Sequence, residues 1–442
     1  MELIDGALFA AKVVQNCVLD DECGHLKVCV DSICTHKDFW PLAPTELLGG
    51  FFLFLVSAMA NAAGITGCSM IIPILIIVGG FTTHWAIPIA QLVAFTGVAV
   101  AIIMRFTLRH PSRDRPRIDF NLSMHICMPL LLGTCYGVIV NAMLPDWFIL
   151  ICLTLTFAFG SLGTYRKANT LAAKEDKEAK DGGKPLLEQA YEFDRNPNHS
   201  EELQQICKDE ARSMPPVQLG MIMIMWAFTL LAAFARGGKG LPSFFGFAPC
   251  SGGYWWFTIG FSVVCVAIIV ASAIILVNKY LRYAAAGYKF ENDDMKWTQE
   301  NSNRVIFVSL MTGLICGCLG LTGGVFLGPM LLWLGVRTET STATCSFVVS
   351  FSSSVAFVQY WAAGMVKLDY GLYYSAWGGA GALLGVALLE RKMKETGKPS
   401  ISVYILSAVL GMATILVPIY GVMRVMDLVN RGQFSFGFRN FC

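Results

Sequence analysis

Apolar residues along this chain come in long blocks separated by short polar clusters. Eight blocks, at 85–104, 122–144, 147–164, 217–235, 254–277, 342–363, 371–389 and 401–423, predict helices able to cross a hydrocarbon core of about 30 Å. Two further apolar regions, 47–80 and 305–335, are interrupted by glycine, threonine and proline. The arm after each interruption, 70–80 or 325–335, has about 11 residues, roughly 16 Å of helix, which is too short to cross. The pattern therefore predicts an all-α polytopic membrane protein with two broken elements.

The interruptions are copies of one another. Gly64-Ile65-Thr66-Gly67-Cys68-Ser69-Met70-Ile71-Ile72-Pro73-Ile74-Leu75 returns, 256 positions later, as Gly320-Leu321-Thr322-Gly323-Gly324-Val325-Phe326-Leu327-Gly328-Pro329-Met330-Leu331. Loop charge chooses between a single broken crossing and a re-entrant hairpin. If each region enters and leaves by one face, and residues 1–45 lie outside, every basic cluster falls inside: Arg105 to Arg117, the 166–212 linker, 279–304 and Arg391 to Lys398. A single crossing misplaces one of them. Five crossings then separate the two half-depth hairpins, so they dip from opposite faces, giving two inverted repeats that each contain a broken re-entrant helix hairpin. The resulting organisation is an extracytoplasmic cysteine-rich segment (1–45), a first transmembrane repeat (46–165), a cytosolic linker (166–215), connecting transmembrane helices (216–303), a second repeat (304–426) and a C-terminal tail (427–442).

Composition narrows the class without changing it. Hydrophobic residues make up 55% and charged residues 14%, with mean hydropathy +0.57, far more apolar sequence than a soluble core needs. The net charge of +2 gives no electrostatic footprint for nucleic acid, because Lys and Arg sit in clusters between apolar blocks.

Broken helices at matched positions place backbone N–H groups and positive helix ends where an anion can be held. The first candidates for substrate binding are therefore the tips: Gly64, Thr66, Gly67, Cys68 and Ser69, with Gly320, Thr322, Gly323 and Gly324. Glycine also permits close helix packing, which is the plainer reading. Pro73 and Pro329 are expected to fix the start of each short arm. Asn61, Gln91, Ser346 and Ser350 are polar positions on the flanking helices, where serines can equally bond back to their own helix carbonyls. His84, His125, Arg337 and Glu339 are membrane-proximal groups that could carry a proton or attract an anion, or simply lie at an interface. Asp119 and Asp369 start matched helices and read as N-caps. Gly133-x3-Gly137 and Gly381-x3-Gly385 read as packing faces.

Cys17, Cys23, Cys29 and Cys34 crowd a short polar segment that cannot bury a core. They are expected as two disulfides, with three connectivities open, and a zinc site using His25 or His36 is the competing reading. A bridge between Cys250 and Cys442 is expected from a shared outer compartment. Cysteines 68, 127, 135, 152, 265, 316, 318 and 345 read as reduced membrane residues.

The duplicated motif, each copy followed by Pro-x-Leu and a hydroxyl-bearing helix such as Thr342-Ala343-Thr344-Cys345-Ser346, resembles the signature of the TauE/SafE sulfite exporter family. The Lys37-Asp38-Phe39-Trp40-Pro41-Leu42 stretch after the cysteine-rich lead resembles its eukaryotic branch. Both copies depart from the family's glycine run, the first reading Thr66-Gly67-Cys68-Ser69 and the second Gly320-Leu321-Thr322-Gly323-Gly324-Val325. The resemblance implies a secondary transporter exporting sulfite or an organosulfonate-like anion, with neither enzymatic activity nor a cofactor. Two other classes stand beside it: a thiol-handling membrane enzyme, whose nearest feature is Cys316-x-Cys318, and a receptor or assembly subunit on a transporter-like scaffold. The outer segment and the linker are the two places where a protein partner could dock. A plasma membrane or endomembrane location follows from the expected disulfides.

Overall fold

The structure, a computed structural model, describes residues 26–30, 33–62, 67–106, 108–110, 115–180, 200–290, 294–396 and 400–430. A small antiparallel hairpin, β1 (Lys27–Val30) and β2 (Ile33–His36), is the exception to an otherwise helical chain. The first half contains α1 (Pro44–Ala62), α2 (Cys68–Ile77), α3 (Thr83–Arg105), α4 (Phe120–Met143) and α5 (Asp146–Lys180). Helices α6 (Glu201–Glu210), α7 (Pro216–Arg236) and α8 (Gly252–Ala285) connect to the second half. That half comprises α9 (Gln299–Leu319), α10 (Gly324–Trp333), α11 (Thr338–Ala362), α12 (Leu368–Thr396) and α13 (Ser400–Asn430). Among the described residues nine helices are long and apolar enough to cross a membrane, so the chain is an integral multi-pass membrane protein.

Two expectations need correction. The arms α1 and α9, which precede the breaks, have 19 and 21 residues and are long enough to cross. Only the return arms α2 and α10, with 10 residues each, are half-depth. Pro73 and Pro329 are the sixth residues of these short helices and do not start them. The stretch 371–389 lies in the 29-residue helix α12. Its many glycines are explained by packing. A Cβ at Gly381 or Gly385 would collide with the Phe54 or Ala58 carbonyl of α1, and one at Gly378 or Gly379 would press on Val93 or Thr96 of α3.

Helix directions follow from these contacts. Gly49, Gly50, Phe54 and Ala58 of α1 meet Tyr374, Trp377, Gly381 and Gly385 of α12 in rising order, so the two run parallel. In the other half, His125, Gly133, Gly137 and Asn141 of α4 meet Ser302, Leu310, Leu314 and Cys318 of α9, again in rising order. The third long helix of each half thus packs on the arm before the break in the other half. Ser161 and Ser407 exchange hydroxyl-to-carbonyl bonds of 3.2 Å between α5 and α13.

Each short arm ends beside the start of its long arm. After α2, the Gly79 carbonyl accepts from His36 Nε2 at 2.8 Å, and Phe81 stacks on the His36 ring with centroids 4.1 Å apart. Next to them Glu46, in the first turn of α1, accepts from the Ala43 N–H, from Tyr370 Oη and from Lys37 Nζ. After α10, Val336 shares an apolar cluster with Trp297 and Val305 at the start of α9.

Burial lowers the His36 pKa from its ordinary 6.5, against the backbone carbonyls of Gly79 and Lys37, which favour the charged ring. The folded state thus resists the proton. The stabilisation is complete above pH 6.5 and is lost as pH falls from there through the lowered pKa. Hydrogen exchange at the Gly79 to Phe81 amides should accelerate across that window, and a His36→Phe variant should lose the dependence. Protection in the parent chain that stays flat under acidification would refute this.

Between the halves, α6 is capped by Ser200, whose Oγ accepts from the Leu203 N–H at 3.3 Å. It buries Leu203, Ile206 and Cys207 against Tyr288, and ion pairs Glu210–Lys279 at 3.0 Å and Glu202–Arg282 at 2.9 Å tie it to the end of α8.

Candidate functional site

Both helix breaks turn on a glycine in the left-handed region. Helix α9 ends at Gly320 (φ 72°), after which the Leu321 N–H reaches back to Cys316 O at 2.8 Å. A Cβ at Gly320 would also drive into Ile87 of α3. Helix α2 begins at Gly67 (φ 70°), whose carbonyl accepts from the N–H groups of Met70 and Ile71 at 2.8 and 3.0 Å. Neither α2 nor α10 has a side-chain cap. The first N–H groups of each short helix, at Cys68 and Ser69 and at Gly324, precede its intrahelical ladder, and the positive helix ends point into the breaks. Pro73 and Pro329 lack the N–H that would otherwise bond the Ser69 and Val325 carbonyls, which loosens the turn nearest each break.

The two breaks meet on α3. The Cys68 thiol donates to Ala90 O at 3.4 Å, and the next residue, Gln91, donates from Nε2 to Gly320 O and Leu321 O at 2.9 and 3.1 Å. Cys68, Cys316, Leu321 and Val325 lie in one apolar cluster. Ser69 and Gln91 are each 1% exposed, yet Ser69 Oγ and Gln91 Oε1 have no hydrogen-bond partner among the described residues. Unmet hydrogen-bonding capacity in so buried a place calls for an explanation, and a bound solute supplies one.

A second polar centre lies one residue beyond the apolar run of α3. Arg105 is only 2% exposed. Side chains on a helix lean toward its N-terminus, so this last residue of α3 reaches back into the protein. Its Nη2 donates to Asn61 O and Ala62 O, both at 3.0 Å, and its Nη1 to Ser346 Oγ at 3.4 Å. The guanidinium caps the negative end of α1 just before the first break and joins it to α11. Asn61 donates to Ser57 O and Ser57 Oγ at 3.0 Å, while its Oδ1 has no partner among the described residues.

The sequence-derived candidates thus separate. Gly67, Cys68, Ser69, Gln91, Gly320, Thr322, Gly323 and Gly324 form the breaks or touch them, and Asn61 and Ser346 surround Arg105. Gly64 and Thr66 lie outside the described residues. Ser350 is directed to its own helix, donating to Phe347 O at 2.8 Å, and Ser352, Ser353 and Ser354 bond back in the same way. His125 is held between Ser302, at 2.9 Å, and Ser272, away from the breaks. Asp119 is the N-cap of α4, accepting from the Leu122 N–H at 3.0 Å. In the sequence Arg105 stands first in a loop cluster of basic residues, 105–117. The available signal was its position directly after the apolar block 85–104, where a cation can be drawn inward.

Nine cysteines among the described residues are free thiols, including all eight expected to be so; Cys29 and Cys250 are not in that group. Cys29 stands opposite Cys34 in the β1–β2 register. Cys17, Cys23 and Cys442 lie outside the described residues.

Comparison with known proteins agrees with this architecture. The family model described as sulfite exporter TauE/SafE matches residues 212–417. Sulfite exporter TauE/SafE family protein 1 of Arabidopsis thaliana is 26% identical over 401 residues, which is 90% of this chain and 88% of that protein. Family proteins 2 and 5 of the same plant are each 26% identical, over 91% of this chain and 88% of theirs. No solved structure matches the chain. With the repeated break and the helical membrane architecture, the chain is similar along nearly its whole length to proteins of the TauE/SafE sulfite exporter family.

Proposed function

We propose that the protein exports a small sulfur oxyanion, sulfite or an organosulfonate-like relative, by alternating access. The observation that carries this reading is the meeting of both helix breaks at Ala90 and Gln91 of α3, with the uncapped N-termini of α2 and α10 beside unpartnered Ser69 and Gln91 atoms. Donors fixed in place before the solute arrives lose little on binding it, and helix N-termini favour negative charge. A sulfite-like anion fits this chemistry: it is compact, carries several acceptor oxygens, and when protonated can also donate to Gln91 Oε1. The names of the relatives, sulfite exporter family proteins, point to the same solute.

The two halves act as inverted repeats in this reading. One hairpin opens from the face where α1 starts, the other from the face where α9 starts, and rocking of one half against the other exposes the shared centre to each side in turn. The basic segments 105–117, 279–304 and 391–398 face the cytosol and residues 1–45 face outward. On that outer face Cys17, Cys23, Cys29 and Cys34 form two disulfides and Cys250 pairs with Cys442; peptide mapping under non-reducing conditions tests the pairing, and free alkylated thiols at these positions would refute it.

The function is tested by sulfite flux from proteoliposomes containing the purified chain, with and without a pH gradient. Flux above that of empty vesicles, saturating with sulfite concentration, is expected. Absence of flux for sulfite, sulfate, thiosulfate and small sulfonates alike would reject the transport reading.

A further inference from the structure

Away from the breaks, a cavity of about 100 Å³ lies where α4 begins, α8 ends and the second hairpin returns into α11. The end of α6 closes it from the linker side through Asp209 and Glu210. Acidic groups in its wall have cationic or N–H partners. Asp294 pairs with Arg115, Glu210 with Lys279 at 3.0 Å and Asp209 with Arg212 at 3.6 Å, while Asp119 accepts from the Leu122 N–H. Burial raises the Asp119 carboxyl pKa, against that N–H and Arg115, so its negative charge is weakened.

The opposite wall is the start of α11. Arg337 occupies its N-cap position without a side-chain cap, and the ladder begins where the Ser341 N–H donates to Arg337 O at 2.7 Å. The N–H groups of Glu339 and Thr340 precede that ladder, at the positive end of a 25-residue helix. Thr340 itself is 7% exposed, and its hydroxyl has no hydrogen-bond partner among the described residues. A buried hydroxyl without a partner, a helix N-terminus and an arginine thus converge on one small cavity.

We propose that this cavity is a binding site for a small oxyanion, separate from the helix breaks and held by the Thr340 hydroxyl, the first N–H groups of α11 and Arg337. The site requires no transport activity at the breaks. Two sources of the ligand share its chemistry: the transported sulfur anion in passage, or a resident inorganic phosphate or sulfate that links α6 and the 115–121 segment to α11.

The test is calorimetric titration of the full-length chain in detergent with sulfite, sulfate and phosphate, comparing wild type with Thr340→Val and Thr340→Ser. Valine keeps the shape and removes the hydroxyl, so about tenfold or greater weakening of at least one anion is expected, with recovery in the serine variant. If the weakened anion is sulfite, and the variant also raises the KM for flux, the ligand is the anion in passage. If phosphate or sulfate binding falls while sulfite flux at saturation is unchanged, the ligand is a resident anion. Wild-type affinity and stoichiometry for all three anions in Thr340→Val would overturn the proposal, as would no anion binding beyond a single sulfite site that Thr340→Val leaves intact. Should Thr340→Val fail to fold, Arg337→Gln at the half-buried rim answers the same question by the same readings.

Discussion

Arg105→Gln is expected to reduce sulfite flux at least about tenfold, since a hydrogen bond to a charged group contributes about 1.5–3 kcal/mol and tenfold corresponds to about 1.4 kcal/mol. The guanidinium holds the carbonyls of Asn61 and Ala62 and the hydroxyl of Ser346 together. Glutamine carries no charge and cannot span three acceptors on α1 and α11. The last turn of α1 would then lose its cap, and the first break its fixed position relative to Cys68 and Gln91. Arg105→Lys is expected to recover little, because an ammonium lacks the rigid fork of the guanidinium. Size-exclusion profiles of both variants separate loss of transport from loss of fold. Flux in Arg105→Gln equal to that of the parent chain, at matched protein in the vesicles, would show that this buried cation has no part in transport.

The second large effect concerns assembly. Gly385→Val places side-chain carbons where the Ala58 carbonyl of α1 already lies, and the backbone cannot yield as a flexible side chain would. Overpacking typically costs about 1–3 kcal/mol, and a clash with helix backbone belongs at the upper end. The expected result is a markedly lower thermal midpoint in detergent, or failure to recover the folded chain. Gly260→Ala is the matched control, because a Cβ there meets nothing within 4 Å. Helix propensity alone should leave that variant as stable as the parent or more stable by about 1 kcal/mol. Equal stability of Gly385→Val and the parent chain would show that α1 and α12 are not packed backbone to backbone.

Much of this architecture was legible in the sequence because lipid leaves few options. A chain must satisfy its backbone in helices to cross, and the apolar blocks announce them. The duplicated Gly-x-Thr-Gly motif marked both breaks, and the Gly-x3-Gly pairs marked packing faces. What they could not reveal was the partner: Gly133 and Gly137 meet α9, while Gly381 and Gly385 meet α1, and such pairing across the repeats arises only from tertiary structure. The length of α1 and α9 was obscured because polar residues such as Glu46 and Asn61 sit in α1 and Asn301 and Ser302 in α9. Glu46 is satisfied by Lys37 and Tyr370, and Ser302 by His125, which no local pattern encodes.

The candidate site was half legible. Glycines at a break identify themselves through backbone geometry, and Gln91 stood out as an amide in an apolar helix. Arg105 and Thr340 did not, since a cation after a span ordinarily reads as a topological signal and a threonine in a first turn as an ordinary polar residue. Among the serines of α11 the reverse happened. Ser346 and Ser350 are candidates by residue type, yet Ser350, like Ser352, Ser353 and Ser354, donates to its own helix.

The decisive measurement is the position of a bound anion. Anomalous scattering at the selenium edge from crystals of the chain soaked in selenite, a heavier pyramidal oxyanion, reports that position without reference to any assay. The account expects a peak between the N-termini of α2 and α10, within hydrogen-bonding reach of Ser69 and Gln91. Occupied selenite sites elsewhere with none at the helix breaks would contradict it.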